Sequence, residues 1–421
     1  MLHVYRALAN LILFFSPLII FIRLLKKREH PTRFKEKFGF YTKKRLKGKL
    51  IWFHGASVGE ILSIIPLIEK LEKNKKINQI LITSNTLSSS KILLNFRLKK
   101  TIHQFFPIDT NYHTQKFLNY WKPSNAIFID SEIWPNMITN IKKKPISLIL
   151  INARITDKSF KKWKIFSSYA KTIFQKFDLC LSSSLKSRGY LKILGVKKIK
   201  YIGNLKFTES EKFADDLTNN LRKFLLSKKI WCASSTHDTE EKICALVHKK
   251  LKNKYKNLLT IIIPRHIHRA KKIESEIKKL DLKIHIHNSK KKINKKTDIY
   301  LVNSFGQTRS FFKICKTVFL GGSLISHGGQ NPLEAARYGC KILHGPNIWN
   351  FKEIYALLER HKVSNKILNM NQLTTNVNRM FNSKNETKNL ELKIKRLGNK
   401  ILNSTLNEIN FYIKKNEIKK T

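Results

Sequence analysis

Acidic residues are scarce: 28 Asp and Glu stand against 83 Lys and Arg in 421 residues, a formal net charge of +55. A chain so poor in carboxylates favours anionic partners: nucleic acid, acidic lipid headgroups or phosphorylated substrates. The basic residues are not gathered in one arm but run through the chain (Lys142-Lys-Lys144, Lys249-Lys250, Lys290-Lys-Lys292, Lys295-Lys296). Lys, Asn and Ile are abundant together, as compositional drift in the coding sequence produces. The charge therefore gives the sign of the partner and not its class. Cysteine is sparse too. Cys180, Cys232, Cys244, Cys315 and Cys340 are isolated, with no CxxC and no metal-ligand spacing. That excludes a disulfide framework and a zinc site, and implies a reducing compartment with the thiols in the core. Also missing are a Gly/Ser linker and any repeat of solenoid period.

The N-terminus lacks a clean membrane span. Ala7 to Leu25 is mostly apolar but contains Pro17 and Arg23, and Lys26-Lys-Arg28 follows. A span needs about 20 apolar residues. With no small-x-small cleavage site after it, the reading is an uncleaved anchor over residues 1–28. It would be inserted or lie in the interface, with its basic flank on the cytoplasmic side of an anionic membrane. A buried helix of the folded domain is the alternative.

What is present is regular. Hydrophobic content of 42% over 421 residues supports two or three domains with real cores. Leu50–Phe53, Gln79–Thr83, Ala126–Ile129, Ile146–Ile151 and Asp178–Leu181 are short apolar runs, and Ile61–Leu71 has helical periodicity. A second series follows at Ile230–Ala233, Leu258–Ile263, Lys283–Ile286, Asp298–Val302, Thr317–Leu320 and Lys341–Leu343. Continuous apolar strands alternating with helical patterns predict parallel sheets covered by helices. The fold class is α/β with two Rossmann-like domains, residues 29–207 and 208–421, joined between Phe207 and Leu226. From Met370 the pattern is that of a surface helix belonging to the second domain, with a frayed tail over Lys414–Thr421.

Motifs sit at strand ends, where open α/β sheets bind ligands. His54-Gly-Ala-Ser-Val-Gly-Glu60 places a carboxylate beside a tight turn, fit for a general base, although Ser57 and Glu60 also form an ordinary capping box. Asp130-Ser-Glu-Ile-Trp-Pro-Asn136, Asn152-Ala-Arg154 and Gly203-Asn-Leu-Lys206 follow in the first half. In the second half come Ser234-Ser-Thr-His237 and Pro264-Arg-His266. His237, His266 and His327 have no ligand spacing. The stretch Gly321-Gly-Ser-Leu324 through Gly328-Gly-Gln-Asn-Pro-Leu-Glu334 reads as strand, Gly-rich loop, helix. Asn331 suits the N-cap, Pro332 the first turn and Glu334 the third position, an arrangement that can hold a phosphate.

Taken together and in order, these motifs resemble the transferases that attach 3-deoxy-D-manno-octulosonic acid (Kdo) to lipid A precursor in lipopolysaccharide synthesis. The resemblance runs from the apolar N-terminus to about Glu353 and includes Gly345-Pro346. It implies the two-domain GT-B architecture, with a cleft between an acceptor-binding N-terminal half and a half that binds CMP-Kdo. It implies Glu60 as the general base, with Glu132 and Lys206 helping to stabilise the transition state. Pro264, Arg265, Phe305, Gly306, Gln307, Asn331, Pro332, Leu333 and Glu334 would form the CMP pocket. Where the family usually carries Glu and His, this chain has Gln307 and Gln330. Gln307 can still hydrogen-bond a ribose or a phosphate-side group. The implied chemistry is an inverting displacement at the anomeric carbon, at the cytoplasmic face of the inner membrane, with no metal and no DxD cluster. The competing readings are another sugar-nucleotide enzyme of the same fold, such as an epimerase, and a basic nucleic-acid-binding protein. Dispersed charge and the lack of a recognisable binding module stand against the latter.

Overall fold

The apolar runs become strands buried on both faces, which is why they show no polar alternation. The computed structural model describes residues 1–208, 217–287, 293–304, 306–382 and 387–418. The chain forms two compact units, Met1–Lys212 with Gly398–Thr421, and Phe213–Leu397. Of the expected join between Phe207 and Leu226, residues 209–216 lie outside the described residues, as does Phe305.

In the first unit, β1 (Leu50–His54), β2 (Gln79–Ser84), β3 (Thr101–Phe105), β4 (Asn125–Ile129), β5 (Ser147–Ala153), β6 (Leu179–Ser182) and β7 (Ile199–Tyr201) form one sheet. Its order is β3-β2-β1-β4-β5-β6-β7, with every pair parallel. Trp52, Phe117, Trp121, Phe128, Leu150 and Phe174 fill its core. In the second unit, the strands are β8 (Lys229–Thr236), β9 (Leu258–Pro264), β10 (Ile284–Ile286), β11 (Ile299–Leu301), β12 (Thr317–Leu320), β13 (Lys341–His344) and β14 (Ser364–Lys366). Their order is β10-β11-β9-β8-β12-β13-β14, again parallel. Trp231, Ile262, Leu301, Phe319 and Leu343 lie in that core. In each sheet the winding direction reverses once, between β1 and β4 and between β8 and β12. The carboxyl ends there leave a crevice between diverging loops.

The N-terminal run is a single helix, Leu2–Leu25, with Pro17 inside it. Proline leaves the carbonyl of residue 13 without its usual donor. Here the Ser16 hydroxyl donates to Leu13 O at 2.6 Å and fills the vacancy. The helix is tied to the first unit by Tyr5 Oη donating to Asp109 Oδ2 at 2.8 Å and Arg6 Nε donating to Asn136 Oδ1 at 3.1 Å. Its other face is apolar and open, with Phe14 77% and Leu18 59% exposed. Among the described residues it is the one helix long and apolar enough to cross a membrane. All five cysteines are free and buried.

The tail departs from expectation. The last helix, Thr387–Ile418, continues through Lys414 instead of fraying there, and from Gly398 onward it groups with the first unit and not the second. The cause is specific packing: Ile401, Ile409, Tyr412 and Ile413 are buried. Tyr412 Oη donates to Asp178 O at 2.9 Å, and Asn125 Nδ2 donates to Tyr412 O at 3.3 Å. Lys200 pairs with Glu408 at 2.7 Å. Tyr412→Ala is expected to destabilise the first unit by about 3 kcal/mol, as truncation of a buried aromatic does. Hydrogen–deuterium exchange should quicken in β6 and β7 and stay unchanged in β8 and β9.

Candidate functional site

In the first unit the crevice beyond β1 and β4 gathers the predicted residues. The Ser57 hydroxyl donates to Glu60 Oε1 at 2.8 Å, Ala56 N–H donates to Oε2 at 2.7 Å, and Glu60 N–H donates back to Ser57 Oγ at 3.4 Å. The capping box is thus real, and its hydroxyl and N–H donors hold the carboxylate in place. A carboxylate has about four acceptor directions, so directions remain for a substrate proton. Burial raises the Glu60 pKa above the ordinary value, and the charges of Glu132 and Asp130 push the same way against the Ser57 and Ala56 bonds.

Glu132 meets the opposite environment. Burial would raise its pKa, but the His54 imidazole and the Trp134 indole outweigh that and hold it below the usual range. His54 Nε2 lies 3.2 Å from Glu132 Oε2, and Trp134 Nε1 donates to the same oxygen at 2.8 Å. Two neighbouring carboxylates are therefore pushed apart in acidity, the pattern by which one fold assigns separate acid and base roles.

Lys206 reaches the same crevice, its Nζ 3.0 Å from Asp130 Oδ2. Asn152 Oδ1 accepts from Leu205 N at 2.9 Å, and Arg154 N–H donates to Asp130 O at 3.1 Å. The motifs at residues 54–60, 130–136, 152–154 and 203–207 thus form one network. Asp130 and Asn152 have φ of 61° and 51°, strained values at strand ends of the kind that cluster at functional sites. Asp130 and His54 lay inside quoted motifs without a role of their own.

In the second unit the Gly-rich loop is already occupied. Gly322 N–H donates to Glu240 Oε2 at 2.7 Å, and Ser323 and Leu324 N–H donate to Oε1 at 3.2 and 3.1 Å. His237 N–H also donates to Oε2, at 3.0 Å. A buried carboxylate of the chain itself therefore takes the N–H groups at the start of this loop. Gly321 is required by this approach, since a Cβ there would lie 2.5 Å from Thr236 Cα. Glu240 gave no sequence signal, because it reads as one of two acids opening a helix.

The helix after the loop is short. It covers Leu333–Arg337 with Pro332 as N-cap, and Asn331 Oδ1 accepts from Leu333 N at 3.2 Å. Asn331, expected as the N-cap, thus stands one position before the observed cap, and five residues add little dipole. Glu334 is not held by a capping box but pairs with Arg309 at 2.8 Å. Arg309 lies on the short helix Thr308–Phe312 that follows Gly306 and Gln307, so these two predicted segments meet. Pro264 is buried at the end of β9, and Arg265 is exposed beside it. The remaining loops converge on His237. Its ring centroid is 4.1 Å from that of His327 and 5.6 Å from that of His266, and Gln330 Nε2 approaches its Nε2 at 3.4 Å. Burial, then the neighbouring His327, His266 and Arg265, lower the His237 pKa to about 4, so this ring is neutral at pH 7. Among the described residues no cluster of three or more His, Cys, Asp or Glu could hold a metal ion.

Glu240→Ala would strand four N–H groups and is expected to cost the second unit about 3–5 kcal/mol, from the penalty for unpaired buried donors. Urea unfolding followed in that unit checks it.

The family profile described as 3-Deoxy-D-manno-octulosonic-acid transferase (kdotransferase) matches residues 32–209. The 3-deoxy-D-manno-octulosonic acid transferase of Rickettsia bellii (strain RML369-C) is 34% identical over 413 residues, 96% of this chain and 98% of its own length. The probable mitochondrial 3-deoxy-D-manno-octulosonic acid transferase of Arabidopsis thaliana is 32% identical over 370 residues, 85% of this chain and 83% of its own. Among solved structures, a putative UDP-N-acetylglucosamine 2-epimerase from Listeria monocytogenes superimposes with a TM-score of 0.60 at 11% identity, over 86% of this chain and 97% of that one. The UDP-GlcNAc 2-epimerase from Neisseria meningitidis gives 0.59 at 13% identity, over 87% and 100%. At such identity these likenesses bear on fold alone, and the fold class is the α/β, GT-B type expected.

Proposed function

The chain belongs to the 3-deoxy-D-manno-octulosonic acid (Kdo) transferase family, a glycosyltransferase family, and we propose that it moves Kdo from CMP-Kdo to a lipid A precursor, lipid IVA, with inversion at the anomeric carbon. The observation that carries this reading is the carboxylate pair at the β1–β4 crevice. Glu60 has a raised pKa and, among the described residues, no cation in its hydrogen bonds, while Glu132 is held ionised beside it. A raised carboxylate is matched to taking a proton near neutral pH.

In the reaction, Glu60 removes the proton of the acceptor hydroxyl as that oxygen bonds the anomeric carbon. The bond from that carbon to the CMP phosphate breaks, its electron pair leaves with CMP, and the proton stays on Glu60. The transition state is oxocarbenium-like, as in glycoside hydrolysis. Glu132 and Lys206 stabilise it from the first unit. Pro264, Arg265, Gly306, Gln307 and Asn331 to Glu334 hold the nucleotide in the second, with Arg265 meeting the negative charge that grows on the phosphate. Phe305, implied for the same pocket, lies outside the described residues. The scheme calls for no divalent ion. The exposed apolar face of Leu2–Leu25 and the basic composition suit an anionic membrane surface, and we place the catalytic units at the cytoplasmic face of the inner membrane.

Mass spectrometry of the products from CMP-Kdo and tetra-acyl lipid A precursor tests this. Glu60→Gln should lower transfer by about 1,000-fold, within the range of general-base contributions, while calorimetry shows CMP binding retained. Near-full transfer by that variant would leave Glu60 only its capping role. The acid limb of kcat/KM follows from sign: the base works deprotonated, so activity falls as pH drops through its pKa. With that pKa raised, the loss should set in above the ordinary 4.5.

A further inference from the structure

Tyr5, Ala9 and Ile12 recur at spacings of four and three and so share one face of the helix Leu2–Leu25. That face meets the carboxyl edge of the first sheet, where Asn85 follows β2, Phe106 to Asp109 follow β3, and Trp134 precedes the helix Pro135–Ile141. Between them lies a recess of about 240 Å³. Pockets that engulf a whole drug-sized molecule run to roughly 300–1,000 Å³, so this one suits a single chain segment.

Its polar lining groups are turned to partners within the chain. The Tyr5 hydroxyl donates to Asp109, whose carboxylate also accepts from Asn136 and Met137 N–H at 3.0 and 2.8 Å. Lys37 Nζ is 2.6 Å from Glu29 Oε2, and the Trp134 indole donates to Glu132. Of the polar lining side chains, only Asn85 has no such partner among the described residues. One amide does not satisfy a phosphate or the several hydroxyls of a sugar, so walls of this kind favour an apolar occupant.

Two neighbours identify that occupant. Trp134, its ring centroid 5.3 Å from that of Phe106, is a wall of the recess and also the partner of Glu132, the carboxylate whose charge bears on Glu60. Ile12 is a wall as well, yet it is 58% exposed and has the exposed Leu8, Leu11 and Phe15 as helix neighbours. The recess therefore joins the open apolar face of the helix to the crevice of the candidate base. We propose that it seats one acyl chain of the acceptor lipid, and that the seated chain sets the sugar hydroxyl against Glu60. Binding energy gained away from the reacting atoms then goes into orienting them. This rests on the proposed transfer of Kdo to a lipid acceptor.

The test compares kcat/KM for transfer to the tetra-acyl acceptor with that for the same acceptor stripped of its acyl chains, by the full chain in detergent. Ala9→Trp fills the recess from the helix and Ile108→Trp from the loop after β3. In each, the ratio of the two values should fall at least about tenfold, the worth of about two buried methylenes. A wild-type ratio in a variant that keeps its circular dichroism would overturn the inference. A milder substitution reads the recess directly if both tryptophans prevent folding. The five native cysteines are buried, so the thiol of Ile108→Cys is the accessible one. Tetra-acyl acceptor at about ten times its Kd should slow maleimide alkylation of that thiol about tenfold, and phosphatidylethanolamine in the same detergent should not. Equal protection by the phospholipid makes the recess a general lipid seat, and no protection by the acceptor leaves it without a chain; either result overturns the proposal. Wild type separates the two readings. Transfer with a ratio that the variants do not change strikes this inference alone, whereas no transfer to any acceptor strikes the proposed function and this inference with it.

Discussion

Buried carboxylates fix the loops on which the candidate site residues ride. Glu240 gathers four backbone N–H groups from two loops of the second unit, and Asp109 gathers two from the start of the helix Pro135–Ile141 together with the Tyr5 hydroxyl. Each bond is charge-assisted and therefore stronger than a neutral one. The low dielectric that strengthens them also makes their loss expensive. In a chain with only 28 acidic residues, Glu29, Glu36, Asp109, Asp130, Glu240, Glu241 and Asp298 are all buried. The scarcity seen at the surface is in part the result of spending acids inside, and it leaves the exterior more basic than the composition alone states.

The same economy shapes the crevice of the first unit. Glu60 is raised by burial and by its neighbours, whereas Glu132 is lowered by His54 and Trp134. The two lie at the reversal point of one parallel sheet, so their difference comes from the partners each loop supplies. Asp130 and Asn152 accept unfavourable backbone angles to bring Lys206 and Leu205 to the same place.

Most of the architecture was legible because buried parallel strands announce themselves as apolar runs. The strands that escaped were β3, β7 and β14, all at sheet edges, where one side has no partner strand and sequences such as Thr101-Ile-His-Gln-Phe105, Ile199-Lys-Tyr201 and Ser364-Asn-Lys366 carry polar residues. The first-unit site was legible as motifs, and the structure joins four of them. In the second unit Gly321–Glu334 was legible as strand, Gly-rich loop and helix, but not that Glu240 takes the N–H groups of Gly322, Ser323 and Leu324. No local pattern distinguishes an external anion from a glutamate 80-odd residues earlier in the chain. The placement of the tail failed for a similar reason, since Tyr412 finds Asp178 across 234 positions.

That last contact bears on how the protein is made. The strands of the first sheet are synthesised before the second unit, but the helix segment from Gly398 that covers Asn125, Asp178 and Lys200 is synthesised after it. Domains generally fold as units while the chain emerges. Here the second unit can complete itself while the first still waits for the segment that begins at Gly398. A nascent chain released before Gly398 would carry a finished second unit and an unfinished first one, and the unfinished half is the one that holds Glu60.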